Sequence, residues 1–543
     1  MKVRILIAGI YDLKRVMCPM ARHNTSSMRN RAGVSAIRST DVAATTAQGG
    51  AGVLRDARSE LFLAAVTFLN EDSFYESAQD RDARIRALLE KENIYADTEW
   101  LSGLIRWLRR EANLRAVPVM LAAAAVRVRL DNNVTGHNRD LIRASIGRLD
   151  EASELLAYWM STYGRRIPSA VKRGVADAVR VMLDENSYLK YRGRMASGAV
   201  SLRDVLNLVH PTPQDAKQAR LFGLVLDEAY GNETDTASLP VVAARARFLA
   251  MSRENIIKEL SNADSAQRWI RDARLTHEVI AGAIGTIPAE VWANLVDSMG
   301  YTALRMNLRR MSKAGISDEV IDRINDRLKD KEELASSRTM PLSFLSAYRN
   351  APLDFASALQ RAANGVLENV PSLSGRTLIM VDKSGSMFMP LSSRSVLKRA
   401  DAAGIFGAAL ALRAEDADLF TYDTEATKVE LGTRDLLRIT ESMSDSGGGT
   451  ATARVARELV ERTKYDRVII LTDEQDGYSW SGEKVSDVVP KDIPLFIWNL
   501  DGYQVGSTDS GPNRYTFGGL TDKGMEMIPL LERGFDAGWP WEK

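Results

Sequence analysis

Apolar residues recur at helical spacing, three or four positions apart, through the first two thirds of the chain. The clearest segments of this kind lie at residues 61–69, 83–89, 98–110, 115–128, 155–163, 170–183, 216–229 and 288–299. Helix-ending residues separate them, for example Gly136, Pro168 and the turn at residues 211–213. Helices in series without long loops predict an α-helical, HEAT-like solenoid. This interpretation rests on helix length and spacing, because the sequence has no exact period.

The pattern changes after Pro371, where short apolar runs alternate with helical segments. Runs suited to buried parallel strands lie at residues 376–381, 417–422, 467–472 and 494–500, and helical segments lie at 395–413 and 453–462. Such alternation is typical of a doubly wound, Rossmann-like α/β sheet. We therefore expect a helical domain over residues 28–368 and an α/β domain over residues 369–543. Residues 1–27 have no clear helical period, which is typical of a disordered N-terminal tail.

Composition narrows the cellular setting. The chain is 45% hydrophobic and 26% charged, as is usual for a soluble globular protein. Its single cysteine, Cys18, excludes an internal disulfide and a multi-cysteine zinc site, which favours an intracellular, cytoplasmic protein. No apolar run approaches the roughly 20 residues needed to span a membrane. The apolar run at residues 5–10 is shorter than the about 7–15 residues of a secretion signal.

Charge is divided unevenly between the two predicted domains. Residues 371–543 hold 20 basic and 27 acidic residues, a net charge of −7. The rest of the chain holds 52 basic and 44 acidic residues, a net charge of +8. A basic helical domain suggests a polyanionic partner, although chance drift of charge between two domains is the alternative.

Side chains with hard oxygen atoms cluster where the predicted strands end, which is where open α/β sheets bind ligands. Three of them follow the first strand in a tight loop, in which Gly385 lets the backbone turn closely. Another follows the glycine run at residues 447–449, and the last ends a later strand. The predicted metal ligands are Asp382, Ser384, Ser386, Thr450 and Asp473. An all-oxygen set favours Mg²⁺, with Mn²⁺ or Ca²⁺ as alternatives.

Sequence patterns typical of enzymes are absent. The four histidines, His23, His137, His210 and His277, form no His-x-x-x-His pair, and no GxxxxGK[ST] loop occurs. The serines of the predicted metal loop lack the G-x-S-x-G context of a hydrolase. We therefore expect no catalytic activity.

The five predicted ligands resemble the metal-ion-dependent adhesion site of von Willebrand factor A domains, whose pattern is D-x-S-x-S followed by Thr and Asp. The resemblance implies a bound ion with an open position for water or an acidic ligand. The alternative is a domain that keeps the motif with an empty or structural site.

A helical solenoid followed by an A domain resembles the Ro family and its bacterial relatives, whose helical part is the TROVE module. The similar segments are residues 74–79 (FYESAQ), 113–118 (NLRAVP), 201–211 (SLRDVLNLVHP) and 303–311 (ALRMNLRRM). The resemblance implies a monomeric ring, in which the solenoid docks on the A domain. It also implies binding of small structured non-coding RNA (Y RNA) and of the 3′ ends of misfolded RNAs, in RNA quality control or decay. An exonuclease, polynucleotide phosphorylase, is the implied protein partner.

Residues 190–194 (KYRGR) combine three cations with an aromatic ring, Tyr191. Arginine can bind phosphate at two points, and tyrosine can stack on a base. In the Ro family a basic cluster before the segment that ends in His contacts Y RNA. The predicted RNA-binding residues are thus Lys190, Arg192, Arg194 and His210. A second cluster is a weaker candidate for binding the end of the RNA, and it consists of Arg305, Arg309 and Arg310.

Three functions follow from these features. The first is a non-catalytic RNA-binding protein. The second is a protein-interaction scaffold whose metal site grips an acidic residue of a partner, with the basic solenoid merely solvated. The third is an A-domain accessory subunit of an ATPase, which leaves the basic solenoid unexplained.

Overall fold

The computed structural model describes residues 39–45, 51–66, 78–196, 199–337, 339, 341–391, 397–445, 447–473, 483–500, 513–518, 522–532 and 539–542. The tail expected at residues 1–27 lies outside this part of the chain. A helical part whose last α-helix ends at Gly365 is followed by a sheet with flanking helices, which begins at Leu373. No helix in the described ranges is long and apolar enough to cross a membrane.

The helical part consists of short helices that stack on one another. Their bounds are α1 (Ala57–Val66), α2 (Ala78–Glu90), α3 (Thr98–Arg110), α4 (Ala116–Asp131), α5 (Asn138–Ser145), α6 (Leu149–Tyr163), α7 (Ser169–Met182), α8 (Glu185–Ala196), α9 (Leu202–Val209), α10 (Ala216–Tyr230), α11 (Pro240–Leu249), α12 (Arg253–Ser261), α13 (Ala263–Asp272), α14 (His277–Ile284), α15 (Ala289–Leu295), α16 (Tyr301–Lys313), α17 (Asp318–Lys329), α18 (Lys331–Ser337), α19 (Pro341–Asn350) and α20 (Ala356–Gly365). Helix α3 packs on α5, α5 on α7, and α4 on α6. The mostly helical prediction is confirmed, and stacking between near neighbours in sequence is the arrangement expected of a solenoid.

A two-stranded antiparallel hairpin precedes the helices, and the sequence pattern does not predict it. Strand β1 (Ser39–Thr45) pairs with β2 (Ala51–Arg55), and Ala43 lies opposite Val53. Neither strand alternates apolar with polar residues, so periodicity gives no strand signal.

Helix α9 shows how the local sequence sets the ends of a helix. The Ser201 hydroxyl accepts the N–H of Asp204 at 3.2 Å, and the Asp204 carboxylate accepts the N–H of Ser201 at 3.0 Å. This reciprocal pair is a capping box. The helix ends at His210, which adopts a left-handed φ of 47°, and Pro211 follows, which has no N–H to continue the helix.

The second unit contains a mixed sheet with the strand order β5-β4-β3-β6-β7-β8, parallel except for β5. The strands are β3 (Leu373–Asp382), β4 (Ala414–Tyr422), β5 (Ala426–Lys428), β6 (Arg467–Thr472), β7 (Leu495–Asn499) and β8 (Arg514–Gly518). The helices are α21 (Arg399–Arg413), α22 (Leu436–Glu441), α23 (Thr452–Arg462), α24 (Val485–Val488) and α25 (Asp522–Glu532). This sheet with flanking helices confirms the α/β prediction. From β3 the chain adds β4 and β5 on one side and then β6, β7 and β8 on the other, so the order of the strands reverses between β3 and β6.

Both faces of this sheet are covered by apolar side chains. In β3, Ile379 and Val381 belong to the core that continues into the helical part. Leu378 and Met380 point the other way, into a separate core formed with α23 and α24. Burial on both faces is why the strand appears in the sequence as a continuous apolar run.

The helical part and the sheet unit are joined through α19 to α22. Arg349 of α19 forms a two-point ion pair with Asp401 of α21, with N–O distances of 2.7 and 2.8 Å. The side-chain oxygen of Asn364 in α20 accepts the N–H of Leu436 in α22 at 2.9 Å. Polar contacts in this junction therefore add to the shared apolar core.

The C-terminal tail contacts the first helices of the chain. The rings of Trp539 and Trp541 stack with centroids 5.5 Å apart. Trp539 lies 5.5 Å from the ring of Phe62 in α1 and 5.2 Å from the ring of Trp100 in α3. Trp541 lies over Gly103, where a Cβ atom would come within 2.1 Å of the indole ring. Because residue 103 has no side chain, the Trp541 indole has space to pack on α3.

Candidate metal centre and nucleic-acid interface

Two adjacent parallel strands carry the carboxylates of the candidate metal centre at their ends. Strand β3 ends at Asp382, and Asp473 directly follows β6. The strands are in register, with Val381 opposite Leu471. Both carboxylates are 0% exposed. They lie at the point where the strand order reverses, which is the usual ligand site of an open α/β sheet.

The Asp382 carboxylate fixes the first loop of the site. One oxygen accepts the N–H of Ser384 at 2.8 Å, and the other accepts the Thr472 hydroxyl at 2.6 Å. The hydroxyl oxygens of Ser384 and Ser386 are 3.3 Å apart. The structure thus brings three of the five predicted ligands together.

Thr450 belongs to a loop that is bonded to the first loop through the backbone. The N–H of Gly447 donates to the carbonyl of Lys383 at 2.8 Å. The N–H of Gly385 donates to the carbonyl of Gly448 at 3.2 Å. These two bonds place the glycine run and Thr450 beside the first loop, at the same edge of the sheet as both carboxylates.

The electrostatics of the site fit a divalent cation. Burial raises the pKa of Asp382 to about 6, and the charge of Asp473 acts in the same direction, against hydrogen bonds from Thr472 and Ser384. A positive ion beside these two buried carboxylates would offset the cost of burying their charge. Carboxylate and hydroxyl oxygens are the ligands that Mg²⁺ prefers. Within the described residues, no group of three or more His, Cys, Asp or Glu forms another metal cluster.

Asp423, which the sequence analysis missed, holds the glycine loop. Its carboxylate accepts the N–H of Gly448 at 3.0 Å, and its backbone carbonyl accepts the N–H of Ala451 at 3.0 Å. A Cβ atom on Gly447 would lie 2.4 Å from the same carboxylate, so glycine is needed there. Asp423 directly follows β4, and this position at a strand end was the available signal.

Asp423 is also set up to remain ionised. Burial alone would raise its pKa, but N–H groups of Glu425 and Gly448 outweigh that effect, so the pKa is lowered. A carboxylate that accepts several backbone N–H groups is a stable anchor for a loop.

The predicted RNA-binding cluster divides across α8. Lys190 is exposed and lines a cavity of about 1300 Å³ with residues of α13 to α15. Arg192 instead donates to the Glu228 carboxylate at 3.2 Å and to the Tyr188 hydroxyl at 2.8 Å. Positions two apart on a helix face different directions, so these cations do not form one surface. Arg194 lies in the same helix, and its side chain is outside the described part.

Tyr191 is unsuited to stacking on a base, contrary to the expectation from the sequence. It is only 8% exposed. The guanidinium of Arg148 lies 5.4 Å from its ring centroid, and the ammonium of Lys190 lies 5.1 Å from it. The ring therefore belongs to the packing of α8.

Two arginines that the sequence analysis missed share the cavity with Lys190. Arg271 is the second-to-last residue of α13, and Arg274 lies just after the helix in a left-handed conformation with φ 48°. Both side chains are exposed, and Arg271 donates to the carboxylate of its neighbour Asp272 at 2.9 Å. The buried Arg245 supports this turn by donating to the carbonyl of Ala273 at 2.6 Å. Only the fold brings these cations near Lys190, since they are about eighty positions away in sequence.

His210 and the second cluster have other settings. His210 is exposed at the end of α9. The described residues that line the cavity beside Lys190 do not include it. Arg305 packs on the Phe344 ring at 5.3 Å and donates to the carbonyl of Ser343. Its role is therefore in packing, whereas Arg309 and Arg310 are exposed on α16.

Comparison with known proteins agrees with this architecture. Residues 286–398 match the TROVE domain family, a stretch that crosses the junction and includes Asp382, Ser384 and Ser386. The chain is 34% identical over 131 residues to the RNA-binding protein RO60 of Caenorhabditis elegans, covering 21% of this chain and 20% of that one. The aligned region is thus about a fifth of the length of this relative.

The fold is similar to the crystal structure of the RO (RSR) protein of Deinococcus radiodurans. The TM-score is 0.66, with 18% identity, 88% of this chain covered and 99% of that one. The class of protein is therefore a mostly helical protein with a C-terminal mixed sheet. One stretch of it matches the TROVE domain family, and its fold is similar to that of a bacterial RO protein.

Proposed function

We propose that this chain is a non-catalytic, cytoplasmic RNA-binding protein. Its ligands would be small structured Y-like RNAs and the 3′ ends of misfolded RNAs, and its role would lie in RNA quality control or decay. The observation that carries the proposal is the cavity that is lined by Lys190 of α8 together with Arg271 and Arg274 from the end of α13 and the turn after it. Phosphate contacts by such cations supply most of the affinity of proteins for nucleic acids.

The charge of the two units supports this site. The net charge of +8 in residues 1–370 attracts RNA to the helical part, while the net charge of −7 in residues 371–543 repels it from the sheet unit. The printed name of the C. elegans relative, an RNA-binding protein, points the same way. RNA held on the helical part could be presented to an exonuclease such as polynucleotide phosphorylase, which would perform the decay.

We also propose that the chain forms a closed, monomeric ring. The junction between α19 and α21 joins the end of the helical part to the sheet unit. The tail, with Trp539 and Trp541, reaches back from the sheet unit to α1 and α3. Two separate connections between the same units are what a ring requires.

The sheet unit is proposed to be a von Willebrand factor A domain with a Mg²⁺-type adhesion site. Asp382, Ser384, Ser386, Thr450 and Asp473 would hold the ion. When bound, the ion supplies a fixed positive charge that can accept an acidic group. The hydrogen bonds within and between these loops favour a second function, a metal-dependent scaffold for protein partners.

Purification provides the test. The protein should copurify with RNA, giving strong absorbance near the nucleic-acid maximum, and should bind a structured small RNA once stripped. No RNA cleavage should follow when Mg²⁺ is added to the purified protein. A protein free of nucleic acid that binds no added RNA, yet binds acidic peptides with metal, would support the scaffold function instead.

A further inference from the structure

A cation lies beside one of the two carboxylates of the candidate metal centre. A guanidinium nitrogen of Arg399, the first residue of α21, is 3.8 Å from a carboxylate oxygen of Asp473. The Asp473 side chain is 0% exposed and that of Arg399 is 17% exposed. The pair is therefore largely shielded from water, where the interaction of charges is stronger than at the surface.

The position of Arg399 is fixed by bonds on both sides of it. Its backbone N–H donates to the carbonyl of Met389, in the segment after the first metal loop, at 3.1 Å. The N–H of Lys398 donates to the Asp401 carboxylate at 2.8 Å. Asp401 in turn is held by Arg349 of the helical part. These bonds hold the start of α21, and with it the backbone of Arg399, beside the site.

Burying an ionised carboxylate costs folding free energy unless a positive charge neutralises it. Arg399 supplies such a charge to Asp473 when no metal is bound. A divalent ion held by Asp382 and Asp473 would also neutralise the Asp473 carboxylate, and the guanidinium of Arg399 would repel this ion. The separation of 3.8 Å exceeds hydrogen-bonding distance, so this pair of atoms interacts mainly through charge.

We propose that Arg399 is the built-in counter-ion of the metal centre. It stabilises the metal-free site and weakens the binding of divalent ions, and so it sets the metal concentration at which the site fills. This inference rests on the proposed metal site. Lys383, a cation within the first loop, instead acts on the charge of Asp423.

The test compares full-length wild type with Arg399→Gln and Arg399→Met, which remove the charge, and Arg399→Lys, which keeps it. Arg462→Gln is the matched control, because Arg462 is 72% exposed at the far end of α23. Binding of Mg²⁺ and Mn²⁺ is measured by calorimetry, and thermal melting is measured with and without a chelator.

Both neutral variants should bind Mg²⁺ at least about threefold more tightly than wild type, because a nearby positive charge is gone. In chelator they should melt at a lower temperature than wild type, and saturating Mg²⁺ should reduce this difference. Arg399→Lys and Arg462→Gln should stay close to wild type. A purely structural role for Arg399 would lower stability without tightening metal binding.

Two results would overturn the proposal and can be told apart. If wild type binds divalent ions but the neutral variants bind them equally or more weakly, Arg399 is not a competing counter-ion. If wild type binds neither Mg²⁺ nor Mn²⁺, the metal site itself fails, and the role of Arg399 with it. If one neutral variant does not fold, the other provides the same comparison.

Discussion

At the scale of residues, the proposed metal site depends on side chains that contact its loops as well as on the predicted ligands. Asp382 is bound to Ser384 and Thr472, and Asp423 is bound to Gly448. Groups that orient the ligands in this way are expected to affect metal affinity as strongly as many direct ligands do.

Asp423→Ala should lower Mg²⁺ affinity by about 10- to 100-fold, because the loop that carries Thr450 loses its anchor. Asp423→Asn should lose less, because its amide oxygen can still accept the N–H of Gly448. Calorimetry with Mg²⁺ measures both. Asp416→Ala is the control, because Asp416 lies near the start of β4, is 59% exposed and is away from the ligand loops. Equal affinity in Asp423→Ala and wild type would show that the loop holds its position without Asp423.

The two candidate carboxylates, Asp382 and Asp473, could be located in the sequence because each stands at the end of an apolar run, whereas Thr450 follows a glycine run. Asp423 has the same setting, yet it lies outside the adhesion-site motif and was therefore overlooked. Arg399 could not be predicted, since nothing in the sequence relates the start of one helix to the end of a distant strand.

At the scale of elements, apolar periodicity located the central elements well. The run at residues 467–472 is strand β6 (Arg467–Thr472), and the segment at 453–462 is α23 (Thr452–Arg462). Burial on both faces or on one face produces these patterns directly. The short edge strand β5 (Ala426–Lys428) has only exposed residues, so it left no such pattern.

Helix α8 shows that charges clustered in the sequence need not share one surface of the protein. Lys190 and Arg192 are neighbours in the sequence, but the helix turns one toward the cavity and the other toward Glu228. Arg271 and Arg274 are distant in the sequence and lie on the same cavity as Lys190. This cationic surface is therefore assembled from separate helices, and a single segment of the sequence cannot reveal it.

At the scale of the whole molecule, the C-terminal tail with Trp539 and Trp541 packs against the first helices, α1 and α3. Trp541 fits against α3 only because residue 103 is glycine. The aromatic contacts of Trp539 with Phe62 and Trp100 belong to the same connection. The proposed ring should therefore be sensitive to single changes in the tail.

Trp541→Ala should cost on the order of 2 kcal/mol of stability, because it removes a half-buried indole. It should also increase the radius of gyration in solution scattering, as the first helices separate from the sheet unit. Gly103→Leu should have the same effect from the opposite side, by occupying the space of the indole. Trp541→Phe is the conservative control. A variant as compact and as stable as wild type would show that the tail does not close the ring.

The most direct test of the central claim is the salt dependence of RNA binding. Affinity of the stripped protein for a structured small RNA should fall as salt rises, with a log–log slope of about −0.9 per duplex phosphate contacted. Replacing Lys190, Arg271 and Arg274 together with Ala should weaken binding and flatten this slope, whereas Arg192→Ala, which removes a cation that contacts Glu228 rather than lining the cavity, should change it little. Unchanged affinity and slope in the triple variant, or a wild type that binds no RNA at any salt concentration, would contradict the account.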